Sequence, residues 1–69
     1  MDCIGPGDTG PAVERIQRRV GASVTGVYDD ETVLAVRGMQ VLLRTAARDG
    51  CWDAEIEYAV TRRAAIRLA

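Results

Sequence analysis

Histidine, lysine and phenylalanine are absent from this chain of 69 residues, and Ser23 is its only serine. Nucleophilic catalysis needs a nucleophile beside a base, and this chain has neither histidine nor lysine to act as that base. A Cys/His zinc site cannot be assembled from one chain that has two cysteines and no histidine. The carboxylate pairs Asp29/Asp30 and Asp53/Glu55 lie at predicted helix starts, where helix capping explains them. We therefore predict that the protein is not an enzyme and uses no cofactor and no metal.

The charge of the chain is balanced, with nine arginines, ten acidic residues and a formal net charge of −1. This balance gives no electrostatic reason to expect nucleic acid or an anionic membrane as a partner. The longest apolar run, at 41–43, is too short to span a bilayer. The N-terminal residues lack the positive charge and the apolar segment of a signal peptide. We expect a soluble chain that is synthesised in the cytoplasm.

Two cysteines, Cys3 and Cys51, lie far apart in the sequence and form no CxxC motif. Three states are open to them: burial as small hydrophobic side chains, a Cys3–Cys51 disulfide, or a disulfide between two chains. We favour burial, because free cysteine is among the residues most often found inside proteins.

A short internal repeat is the most informative feature of the chain. Residues 26–37 and 50–61 align at a fixed offset of 24 residues. The aligned pairs are Gly26/Gly50, Asp29/Asp53, Glu31/Glu55, Ala35/Ala59 and Val36/Val60, which are identical, and Tyr28/Trp52, which are both aromatic. A unit this short cannot bury its own apolar face, so the two copies must pack together. The repeat predicts a small all-α domain with two turn-helix units, in which Val36 and Val60 occupy equivalent core positions.

Apolar stripes at helical spacing predict one domain over 1–69, with a lead-in segment at 1–10 and helices near 11–20, 29–46 and 53–67. Pro11 suits the first position of a helix, and Gly21 ends the first helix. Asp29 and Asp53 are the expected N-caps of the other two helices. Gly38 lies inside the second helix, where glycine costs about 1 kcal/mol relative to alanine. We expect it to allow the close approach of another backbone.

Three spaced motifs cover most of the chain. They read Ile4-x-x-Gly7-x-x-Gly10-x-x-Val13-x-x-Ile16-Gln17-x-x-Val20, Gly26-x-Tyr28-Asp29-x-x-Thr32-x-x-Ala35-Val36-x-x-Met39-Gln40 and Asp49-Gly50-x-Trp52-Asp53. In this spacing the chain resembles the peptidoglycan-binding-like domain family over residues 4–60. The resemblance implies a three-helix, non-catalytic module of the kind that usually holds a cell-wall hydrolase on peptidoglycan. Met39 stands where the family usually has phenylalanine, and Ile56 where threonine is expected.

Two aromatic and two amide side chains are the candidate ligand-binding residues: Tyr28, Trp52, Gln17 and Gln40. Aromatic rings with a polar edge suit sugar faces and interfaces alike, but the position after each repeat glycine also suits the core, which we favour. For the two glutamines we favour a structural role, in which their amides tie loop backbone to the helices.

Five apolar residues fall outside the expected core stripes and are candidate protein-interface residues: Val33, Leu34, Val41, Leu42 and Ile66. Two functions remain open. The first is a wall-binding module that acts with a hydrolase partner. The second is reuse of the fold as a small interaction protein, such as a minor capsid or decoration protein of a bacteriophage virion. We favour contacts with other protein chains, and peptidoglycan is the alternative ligand.

Overall fold

Three helices form the protein in a computed structural model, which describes residues 3–68 and, of their side chains, those of residues 3–63. Helix α1 spans Pro11–Val20, α2 spans Asp30–Leu43 and α3 spans Ala54–Leu68. The prediction of a small all-α, three-helix bundle is confirmed. Within the described residues, none of these helices combines the length and apolarity that crossing a membrane would require.

The second and third helices begin in the same way, with an aspartate as N-cap. Asp29 Oδ1 accepts hydrogen bonds from the amide and the hydroxyl of Thr32, at 3.0 and 2.8 Å. Asp53 Oδ1 accepts one from the Ile56 amide at 3.0 Å. The bond from the Thr32 hydroxyl, followed by the bond from its amide, lowers the pKa of Asp29. Both N-caps are therefore confirmed, and they set the start of each repeat helix.

Helix α2 ends three residues earlier than its sequence suggests. Arg44 takes a left-handed conformation with φ of 59°, and the Thr45 amide donates to the Gln40 carbonyl at 3.1 Å. Thr45 is buried, and its hydroxyl donates to the Ala47 carbonyl at 2.7 Å. These bonds offset the roughly 1–2 kcal/mol that a left-handed non-glycine residue costs. Because glycine is the usual residue at such a cap, the arginine gave no signal that the helix stops.

The core draws on all three helices and both turns. Its buried members are Val13, Ile16, Tyr28, Val36, Trp52 and Ile56, and Ile4, Val20, Val33, Met39, Leu43 and Val60 pack against them. Val36 is fully buried, whereas Val60 is only partly so. Helix α2 packs against both α1 and α3, so its residues are enclosed from two sides. The two valines are therefore not equivalent, and truncation to alanine should cost more at Val36 than at Val60.

The expected close approach at Gly38 does not occur. This residue is exposed, and a Cβ built on it meets no described atom within 4 Å. Gly38→Ala should therefore raise the free energy of unfolding by about 1 kcal/mol, because alanine restricts the unfolded chain and suits a helix interior. Urea denaturation followed by circular dichroism measures this change. A loss of stability would instead show that α2 needs a glycine at this position.

Candidate functional site

The lead-in segment is a structural strap that joins both repeat turns; we call residues 3–10 the strap. Ile4 and Trp52 exchange two backbone hydrogen bonds, at 2.9 and 2.8 Å. Further along, the Tyr28 amide donates to the Asp8 carbonyl at 2.9 Å, and the Gly7 amide donates to the Tyr28 carbonyl at 3.2 Å. The strap therefore fixes the backbone on either side of both aromatic residues.

Gln17 is fully buried and holds the first repeat turn. Its Oε1 accepts hydrogen bonds from the amides of Thr25 and Gly26, at 2.9 and 3.0 Å. Its Nε2 donates to the Val27 carbonyl at 2.9 Å and to the hydroxyls of Thr25 and Thr32, at 3.1 and 2.9 Å. Both ends of the side-chain amide are therefore occupied by the protein itself.

Gln40 repeats this arrangement in the second turn. It is also fully buried, its Oε1 accepts from the Gly50 amide at 2.9 Å, and its Nε2 donates to the Cys51 carbonyl at 2.9 Å. Nε2 also lies 3.5 Å from Asp49 Oδ1. The interpretation that the two glutamine amides tie loop backbone to the helices is confirmed by these bonds.

Tyr28 and Trp52 lie in the core, as favoured from the sequence. Their exposed fractions are 2% and 3%. The Tyr28 hydroxyl donates to the Gly50 carbonyl, and burial raises the pKa of this phenol. Trp52 Nε1 donates to Glu57 Oε1 at 3.0 Å, and this bond is the main cause of the lowered pKa of Glu57. Neither ring has a face open to a sugar.

One surface of α2 carries apolar side chains that the core does not use. Leu34, Val41 and Leu42 are 67%, 52% and 58% exposed, and they share one side of the helix with Gly38 because residues spaced by three and four are neighbours. We call these four residues the outer face of α2. Val33, also a candidate, packs against the core instead. The side chain of Ile66 lies outside the described residues.

A groove between the end of α2 and α3 was not foreseen from the sequence. It has a volume of about 550 Å³ and is lined by Leu43, Arg44, Thr45, Glu55, Tyr58, Ala59, Arg62 and Arg63. Tyr58, which is 65% exposed, stands in it with its hydroxyl 3.5 Å from Arg62. No local motif indicates the groove, because it forms where the chain turns at Arg44 and the following loop meets α3.

The surroundings of the two cysteine thiols differ from those expected. Cys3 is exposed and Cys51 partly exposed, and both are free thiols, so the burial favoured from the sequence is wrong for Cys3. Interaction with the Cys3 side chain, together with burial, raises the pKa of Cys51 to about 11. The thiol proton of Cys51 must dissociate before the Cys51 sulfur can attack an electrophile.

Alkylation of Cys51 by iodoacetamide should therefore be slow at pH 8 and should accelerate as the pH approaches 11. A thiol with an ordinary pKa of about 8.5 would react about two orders of magnitude faster at pH 8. Mass spectrometry of Cys51 peptides over a pH series measures the rate. Cys3→Ser should accelerate the reaction by removing the neighbouring thiol. An alkylation rate that reached half its maximum near pH 8.5 in the folded wild-type chain would contradict the expectation.

Comparisons of the chain with models of known protein families, with curated proteins and with solved structures found no match. Among the residues that the structure describes, no three Cys, Asp or Glu side chains are grouped so that they could hold a metal ion. The described part of the chain is thus a three-helix module with two surfaces of interest, the outer face of α2 and the groove beside α3.

Proposed function

We propose that this chain is a non-catalytic module that binds other protein chains through the outer face of α2. The carrying observation is the row of Leu34, Val41 and Leu42, three large apolar side chains that are each more than half exposed on one side of a helix. The core is filled without them. Apolar patches with polar rims mark protein interfaces, and Arg37 and Asp30 provide charged, exposed neighbours on the same helix.

The burial and hydrogen bonding of the candidate ligand-binding residues support a protein as the partner rather than a sugar. Tyr28 and Trp52 are buried in the core, and the amides of Gln17 and Gln40 are engaged by turn backbone. The side chains that the sequence offered for sugar contact are thus committed to structure. A minor capsid or decoration protein of a bacteriophage virion would need such a protein-binding face, and this setting is part of the proposal.

The alternative is a peptidoglycan-binding module that acts with a hydrolase partner. It is favoured by the resemblance of residues 4–60 and by the three-helix architecture, which is what that resemblance implies. On this alternative, purified sacculi should bind the protein saturably, and substitutions on the outer face of α2 should leave that binding unchanged.

Site-specific photo-crosslinking tests the proposal. A photoreactive amino acid at Leu42 should yield a discrete adduct with another protein chain, and Leu34→Glu should abolish the adduct without changing the helical circular dichroism spectrum. Val24, which is 46% exposed in the loop after α1, is the matched position and should yield no such adduct. Saturable co-sedimentation with sacculi that survives Leu42→Glu, with no adduct at Leu42, would overturn the proposal and restore the wall-binding alternative.

A further inference from the structure

We propose that the groove between the end of α2 and α3 binds an acidic segment of a partner protein, in which a large apolar side chain stands beside carboxylates. This surface is separate from the outer face of α2, so the inference goes beyond the proposed function. The groove is lined by apolar side chains, which we call its floor, and by arginines, which we call its rim, and each part indicates one half of that chemistry.

The groove has the size and the firm wall of a binding site. Its volume of about 550 Å³ falls within the range of roughly 300–1,000 Å³ that is usual for ligand pockets. The Ala46 amide donates to both carboxylate oxygens of Glu55, at 3.1 and 3.0 Å, and this holds the loop after α2 against α3. A ligand therefore meets a wall that is already ordered, which reduces the entropy lost on binding.

The charge of the groove is opposite to that of the chain. Arg44, Arg62 and Arg63 face a single acid, Glu55, which is engaged by backbone, whereas the whole chain has a net charge of −1. Among the described side chains these three arginines form no ion pair. A guanidinium group binds a carboxylate through two parallel hydrogen bonds, so three of them at one rim favour a segment with several carboxylates.

The floor explains why the partner must also be apolar. Leu43, Tyr58 and Ala59 are the apolar residues among those that line the groove. Tyrosine and arginine are the residues that most often dominate binding energy at protein interfaces, and Tyr58 and Arg62 lie together here. An apolar side chain such as leucine could pack on this floor, which favours a protein segment over a nucleic acid or a wall peptide.

An NMR titration of the ¹⁵N-labelled protein tests the inference. The probe is a capped synthetic peptide that alternates glutamate and leucine, and the control peptide has glutamine at every glutamate position. We expect saturable shift changes centred on Leu43, Thr45, Tyr58 and Ala59. Arg62→Glu should weaken binding about tenfold, as should the control peptide. Arg18→Glu, the same charge reversal at an exposed position of α1 outside the groove, should change the affinity less than twofold.

Several outcomes would overturn the inference. Equal weakening by Arg18→Glu and Arg62→Glu would mean diffuse charge attraction, and equal binding of the two peptides would leave no role for the carboxylates. Shift changes in the groove caused by soluble wall fragments or by a single-stranded oligonucleotide, but not by the acidic peptide, would assign it to another ligand. If Arg62→Glu disturbs the fold, Arg63→Gln provides the same comparison. Leu42→Glu should leave the titration unchanged, so failure here is distinct from failure of the proposed function.

Discussion

Replacing Gln17 with leucine is expected to leave most of the protein unfolded at 25 °C. Leucine has nearly the same size but accepts no hydrogen bond from Thr25 and Gly26 and donates none to Val27. Each buried backbone group that loses its partner costs about 1–3 kcal/mol. The bond to the Gly26 amide is buried and those to the Thr25 amide and the Val27 carbonyl are partly buried. A domain of this size has a total stability of only about 3–5 kcal/mol, which the combined losses approach.

Circular dichroism at 222 nm and urea denaturation measure the effect. Arg18→Leu is the matched control, because Arg18 is the next residue of α1 and its side chain is 64% exposed. It should change the free energy of unfolding by less than about 0.5 kcal/mol. Gln40→Leu should be destabilising to a smaller extent, since Gln40 makes fewer hydrogen bonds to its turn. A Gln17→Leu variant as stable as the wild type would show that water replaces the amide.

Local signals account for the parts of the fold that the sequence predicted. The N-caps at Asp29 and Asp53 act over three residues, and the cap at Gly21 depends on one left-handed residue. The glutamine contacts were also predictable, because each glutamine precedes its turn glycine by nine or ten residues, a spacing that returns the chain to the same helix. Interactions of this kind can be predicted because the residues that make them are close to each other in the sequence.

Features that depend on distant parts of the chain could not be predicted in the same way. The strap pairs Ile4 with Trp52, and nothing in either segment alone specifies that partner. The groove depends on the left-handed turn at Arg44, a residue whose type argues against such a turn. The different burial of Val36 and Val60 follows from the central place of α2, which the matching positions of the repeat conceal.

Substitution of the paired repeat glycines with alanine should show by measurement that the two repeat copies are not equivalent. Gly26 and Gly50 both have positive φ, at 79° and 82°, so alanine at either position is strained by roughly 1–2 kcal/mol. At Gly50 the new Cβ would lie 2.7 Å from Cγ1 and 3.0 Å from the carbonyl oxygen of Val33. Backbone in the first turn of α2 cannot move aside without breaking the cap, and overpacking adds about 1–3 kcal/mol. Gly50→Ala should therefore cost about 3 kcal/mol in total.

The matched variants are Gly26→Ala and Gly21→Ala. At Gly26 the Cβ would meet only the Glu14 side chain, 3.1 Å away at Oε2, which can rotate aside. At Gly21 it would meet no described atom within 4 Å, so only the cost of its left-handed backbone, roughly 1–2 kcal/mol, applies. The urea concentration at the midpoint of unfolding should decrease from Gly21→Ala to Gly26→Ala to Gly50→Ala. It should be much the lowest for Gly50→Ala. If Gly26→Ala and Gly50→Ala lowered the free energy of unfolding equally, backbone strain alone would explain the loss. The contact between the second turn and Val33 would then add nothing to it.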